Sequence, residues 1–118
     1  MADIPSRFMK LPHAENAVIP NAKITDYLLS ESHRDGRHKA AFFRALGYRY
    51  SAWHRLRDDL LKQASHDVVA FENSPFGIRY VIEGIIHAPD GRQPRVRTVW
   101  FVEHDSDVPR LATAYPAK

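Results

Sequence analysis

The sequence predicts an α+β fold in which three N-terminal helices pack on one face of a four-stranded antiparallel sheet. Three observations carry this. Apolar residues recur at helical spacing between residues 20 and 65, the period changes to alternation from Asp67, and the turn signals SPFG, PDGRQ and DSDVP cut the second half into four strands. Helices and strands segregated along a chain in this way build layers around a shared core.

Residues 1–19 read as an extended lead-in, because Pro5, Pro12 and Pro20 interrupt them and no periodicity is visible. Pro20 or Asn21 starts a first helix through NAKITDYLL, with Ile24, Tyr27 and Leu28 on one face, ending near Ser30. A second begins at Asp35 or Gly36, runs through RHKAAFFRAL with Phe42, Phe43 and Leu46 toward the core, and stops at Gly47, suited to a left-handed closing position. Ser51 is the expected N-cap of a third, AWHRLRDDLLKQA, with Trp53, Leu56, Leu60 and Leu61 as its apolar stripe and Trp53 buried against the sheet.

The strands read as Val68 to Glu72, Gly77 to His87, Arg95 to His104 and Arg110 to Tyr115. Ile78, Tyr80, Ile82 and Ile86 fall on the core side with Val96, Thr98, Trp100 and Val102, whereas Arg95 and Arg97 fall on the other side. A five-residue loop, Pro89 to Gln93, sets Glu83 opposite Val99, Ile85 opposite Arg97 and Arg79 opposite Glu103.

A chain of 118 residues has the usual size of one domain, so residues 1–118 are expected to share one core: the lead-in 1–19, a helical part 20–65 and a meander 67–116. Hydrophobic residues at 44% and charged residues at 26% match soluble globular proteins and argue against disorder. The absence of cysteine excludes disulfides and thiolate sites and favours a cytoplasmic setting. No apolar run is long enough for a membrane span or a signal peptide, so no membrane association is expected.

Seventeen Lys and Arg against fourteen Asp and Glu give a net charge of +3. The distribution says more: residues 33–57 hold Arg34, Arg37, Lys39, Arg44, Arg49, Arg55 and Arg57 against Asp35 alone. An anionic partner follows from that segment.

Walker loops, G-x-G-x-x-G, G-x-S-x-G and H-E-x-x-H are all absent, which removes nucleotide-binding, hydrolase-elbow and zincin readings. The seven histidines are scattered, and the five-residue gap from His33 to His38 crosses Gly36, so neither a metal site nor any cofactor is expected. What remains suits phosphate chemistry. Metal-independent RNA cleavage needs a base for the ribose 2′-hydroxyl, an acid for the leaving 5′-oxygen, and fixed cations or hydroxyls around phosphorus. His33, His38, Lys39, Arg95, Arg97, Thr98 and Thr113 are the right types. Arg37, His38 and Lys39 also sit at a helix start, where the macrodipole opposes cations, so a bound anion at SHRDGRHKA would relieve a local conflict. The bland alternative is a solvated helix end, with Thr98 a plain strand former and Arg95 and Arg97 an exposed face.

Three stretches, LPHAENAVIPNAKITDYLLSESHRDGRHKAAFFRALGY, RVRTVWFVE and PRLATAYP, resemble a bacterial family recorded as a domain of unknown function. That family occurs as small stand-alone proteins and as C-terminal domains of secreted toxin-like proteins. More distantly, helices followed by a four-stranded sheet with a T-x-Y-P ending are similar to the barnase, EndoU, colicin and RelE class of ribonucleases. This similarity implies early catalytic positions at His33, His38 or Lys39 and a late hydroxyl pair at Thr113 and Tyr115. Phosphate binding falls to Arg37, Lys39, Arg95 and Arg97, with Arg97 as the strand residue. The implied function is a toxin-like domain that cleaves RNA by 2′-hydroxyl attack, with RNA and an immunity protein as partners. The alternative is a non-enzymatic module of a toxin operon that binds a partner protein. Which histidine is acid and which base, and the oligomeric state, are left open.

Overall fold

The computed structural model describes residues 9–34 and 36–117. It is an α+β structure with three helices and one antiparallel sheet of order β1-β2-β3-β4. The strands are β1 (Val68–Asn73), β2 (Gly77–Ile85), β3 (Arg95–Glu103) and β4 (Arg110–Pro116), each within two residues of its expected limits.

The first helix, α1, starts at Asn21–Lys23 after Pro20 and continues as a π-helical turn over Ile24–Leu28, closed by Leu29 N–H donating to the Ile24 carbonyl. The wider turn buries Ile24, Leu28 and Leu29 while Tyr27 stays half-buried at its rim. α2 (Arg37–Ala45) ends at Gly47 with φ 99°, the left-handed position that glycine occupies at least cost. Its last carbonyls are satisfied from outside the helix, since Asp90 N–H donates to Leu46 and the Arg92 guanidinium donates to Ala45.

α3 (Trp53–Gln63) departs from expectation at its start. A 3₁₀ turn over Tyr50–Ala52 leads into it, and Ala52 rather than Ser51 stands at the cap, without a side-chain hydrogen bond. Trp53, the first residue of the helix, is half-buried at the edge of the core rather than buried against the sheet as expected, stacked on His54 at 3.8 Å with Arg57 over its ring. Asp59 is buried and receives hydrogen bonds from Tyr48 Oη at 2.7 Å and Arg55 Nε at 2.8 Å, while Arg55 Nη2 reaches the His87 carbonyl. Burial and then the Asp59 hydrogen bond push the Tyr48 phenol up, so it stays protonated and ties α3 to the chain following α2.

The part of the lead-in that is described is structured. Lys10 bridges Asp67, Val18 forms a parallel bridge to Arg110, a 3₁₀ turn spans Ala14–Asn16, and Leu11 and Ile19 are buried. Residues 1–8 of that expectation, and Asp35, lie outside the described residues.

The sheet corrects the expected register. Ile85 pairs with Arg95, Glu83 with Arg97, Val81 with Val99 and Arg79 with Phe101. The cause is the hairpin loop. Ala88 N–H donates to the Arg92 carbonyl, so only Pro89, Asp90 and Gly91 are left outside the pairing, and Gly91 takes φ 90°. A three-residue loop closed by a left-handed glycine is shorter by two than the loop the sequence suggested. An even shift keeps every side chain on its face, so Tyr80, Ile82, Val96, Thr98 and Trp100 are all buried as expected. Tyr80, Ile82, Val96 and Trp100 join Phe43, Leu56 and Leu60 in one apolar cluster, with α3 packed against β2 and α1 and α2 against β4. Thr98 is fully buried because its Oγ1 accepts the Trp100 indole N–H at 2.8 Å.

Candidate functional site

Tyr27 is the hub of the site, and no sequence motif marked it. The Lys39 ammonium donates to its phenol oxygen at 2.9 Å, and the Thr113 hydroxyl lies 3.3 Å from the same atom. Lys23 and Lys39 stand 5.0 and 5.3 Å from its ring centroid, and the His33 ring meets it edge-on at 4.9 Å. These contacts join three segments: the π turn, the start of α2 and the edge strand β4.

Local chemistry places each group. The Ser30 hydroxyl accepts the backbone N–H groups of Ser32 and His33, folding the chain after α1 back on itself. His33 Nδ1 accepts the Gly36 N–H at 3.0 Å, which leaves the proton of the neutral ring on Nε2. Gly36 is required by proximity: a Cβ there would lie 2.5 Å from the Tyr27 carbonyl oxygen and 2.8 Å from its ring. The helix start is therefore pressed against Tyr27, and the Gly36 N–H, within the segment expected to bind an anion, is engaged with His33.

Burial pushes the Tyr27 phenol up, but the hydrogen bonds of Lys39 and Thr113 and the charges of Lys39 and Lys23 outweigh it, leaving Tyr27 below the usual phenol value.

Tyr115 lies two residues beyond Thr113 on the same face of β4, about 7 Å along the strand. Its cross-strand partner is Arg97. Arg97 Nε donates to Glu83 Oε1 at 2.9 Å and Arg95 Nη1 to Glu83 Oε2 at 3.3 Å, so one carboxylate orients both arginines. The Glu83 hydrogen bond raises the Arg97 guanidinium against a smaller opposing effect of burial, and Tyr115 adds to the rise.

Of the residues singled out from sequence, His33, Lys39 and Thr113 converge on Tyr27, and Arg97, Arg95 and Tyr115 form a neighbouring group. His38 and Arg37 are exposed; His38 shares its side of α2 with exposed Ala41 and Ala45 and does not reach Tyr27. Thr98 is occupied with Trp100 in the core. Glu83 was missed because the longer loop set it opposite Val99. Among the described residues no three His, Asp or Glu side chains gather as a metal-binding set, and no helix is long and apolar enough to cross a membrane.

No curated protein matches this sequence. Among solved structures, a chain of the contact-dependent growth inhibition toxin–immunity protein complex from Klebsiella pneumoniae 342 has a similar fold, with a TM-score of 0.71 and 21% identity. The match covers 90% of this chain and 97% of that one. The family described as a domain of unknown function, DUF6883, matches residues 10–118, and the chain belongs to that family.

Proposed function

We propose that this chain is a toxin-like domain that cleaves RNA without a metal, the ribose 2′-oxygen attacking phosphorus as the bond to the 5′-oxygen breaks. The observation that carries the reading is the Lys39–Tyr27–Thr113 group, in which a cation and two hydroxyls meet within hydrogen-bond reach beside His33. The hydrogen bonds and charges that lower the Tyr27 phenol suit it to move a proton: as phenolate it takes the 2′-hydroxyl proton and as phenol it returns one to the leaving 5′-oxygen, while Lys39 faces the charge developing on phosphorus. His33 and Thr113 donate to phosphoryl oxygens. Arg95 and Arg97, held by Glu83, with Tyr115, bind the adjoining phosphate, and Arg37 and His38 meet RNA farther from the scissile bond.

The reading takes the three helices as gathered over the face of Ile82, Thr98 and Trp100, with Tyr27 and Lys39 meeting Thr113 at the β4 edge, which leaves Glu83, Arg97 and Tyr115 to substrate. The shared burial of Phe43, Leu56 and Leu60 with Ile82, Val96 and Trp100 supports this. It also takes the setting as cytoplasmic, where RNA is met, and an immunity protein as the partner that covers the site.

A second reading is favoured by the structural neighbour, a complex of toxin and immunity protein: a non-enzymatic module that binds a partner protein. Expression in a bacterial host separates them. Arrested growth and fragmented RNA with the wild-type chain, both abolished in Lys39→Met, support the enzyme; equal growth and intact RNA in both favour the binding module.

A further inference from the structure

A cleft of about 710 Å³ opens beside His33, inside the roughly 300–1,000 Å³ range of small-ligand sites. Its walls include Asp26, Ser30, Glu31, Arg44 and Tyr50, and His33 lines it while touching Tyr27. The cleft therefore adjoins the Lys39–Tyr27–Thr113 group without being part of it.

Its chemistry differs from that of the phosphate-binding groups. Two carboxylates, Asp26 and Glu31, face a space where Arg44 is already paired with Glu31. A phosphate there would meet uncompensated negative charge from Asp26, so the fitting occupant is uncharged and rich in donors. The Thr25 hydroxyl, which the Asn21 carbonyl also meets at 3.3 Å, lies 3.1 Å from Asp26 Oδ1 as its donor and leaves Oδ2 as an acceptor. Tyr50 is 58% exposed and stacks on no other ring among the described residues. Tyr50 and Asp26 line one cleft, and an exposed aromatic plane with an acceptor in the same pocket is how unpaired bases are held, stacked on one side and hydrogen-bonded along an edge.

We propose that this cleft seats a nucleobase bearing an exocyclic amino group, stacked on Tyr50 and read by Asp26, so that RNA is cleaved beside cytosine, adenine or guanine in preference to uracil. The inference rests on the RNA-cleaving reading and supplies its base preference. Carboxylates accept from such amino groups, and uracil carries none.

The test titrates cytidine, adenosine, guanosine and uridine separately into the full chain, following backbone amide resonances, and in parallel sequences the ends of cleaved RNA. Asp26→Ala and Tyr50→Ala serve as variants, since both side chains are exposed and neither supports the core. The expected result is that at least one amino-bearing nucleoside shifts Asp26, Ser30 and Tyr50 more than uridine does. Each variant should weaken that binding about tenfold, as expected for loss of one stacking or edge contact. RNA cleaved by a chain whose cleft resonances respond to no nucleoside, or to uridine equally, overturns the inference while leaving the enzyme reading intact. Nucleosides that bind as expected to a chain that leaves RNA uncut support the cleft as a base site and overturn the enzyme reading.

Discussion

The Tyr27 phenol and the Thr113 hydroxyl meet at 3.3 Å although 86 residues separate them in sequence. With Lys39 at 2.9 Å on the same oxygen, the contact makes Tyr27 titrate below the ordinary phenol. Lys39→Met is expected to raise the Tyr27 pKa, and ultraviolet difference titration of both proteins measures the change. The linkage has a definite sign. Because the folded value lies below the unfolded 10.0, ionisation adds stability that is fully present above 10.0 and is lost as pH falls through the folded value.

Gly36→Ala tests whether α2 is pressed on Tyr27 as described. The added methyl meets a backbone oxygen at 2.5 Å, which has little freedom to move away. A loss of about 1–3 kcal/mol in chemical denaturation is expected, the usual scale of overpacking. The Tyr27 titration should shift in the same variant, since the clash displaces the residue it depends on.

Thr98→Val keeps the volume of a fully buried side chain and removes the acceptor of the Trp100 indole N–H. Leaving that donor buried and unpaired should cost about 1–3 kcal/mol in equilibrium unfolding. An unchanged denaturation midpoint would mean that the indole has another partner.

Trp100→Ala should cost about 3–5 kcal/mol, and Trp53→Ala distinctly less, because Trp100 is fully buried whereas Trp53 is half-buried against His54 and Arg57. Thermal unfolding of the two variants ranks them.

Most of the sheet was legible because alternation survives small errors of pairing. The loop length was the weak point: PDG carries the glycine signal for a tight three-residue hairpin, and extending the loop to Gln93 moved Glu83 away from Arg97. The polar groups of the candidate site, His33, Lys39, Arg97 and Thr113, could be named because phosphate chemistry restricts residue types. Tyr27 could not, since its helical spacing with Ile24 and Leu28 is the pattern of a core residue, and the π turn that holds it at the rim leaves no mark in composition. Ser51 misled for a related reason: a good capping residue was absorbed into the 3₁₀ turn, one residue before the cap at Ala52.

The most direct measurement incubates the purified chain with RNA in excess chelator and identifies the new ends, beside Lys39→Met, Tyr27→Phe and Arg97→Gln. The account predicts cleavage by the wild-type chain that leaves 2′,3′-cyclic phosphate ends, and rates lower by roughly 10²–10³-fold in Lys39→Met and Tyr27→Phe, the scale of losing one group that stabilises or protonates the transition state. Arg97→Gln should weaken RNA binding more than it slows the bound complex. RNA left intact by the wild-type chain, or cut at equal rates by all four proteins, would contradict it.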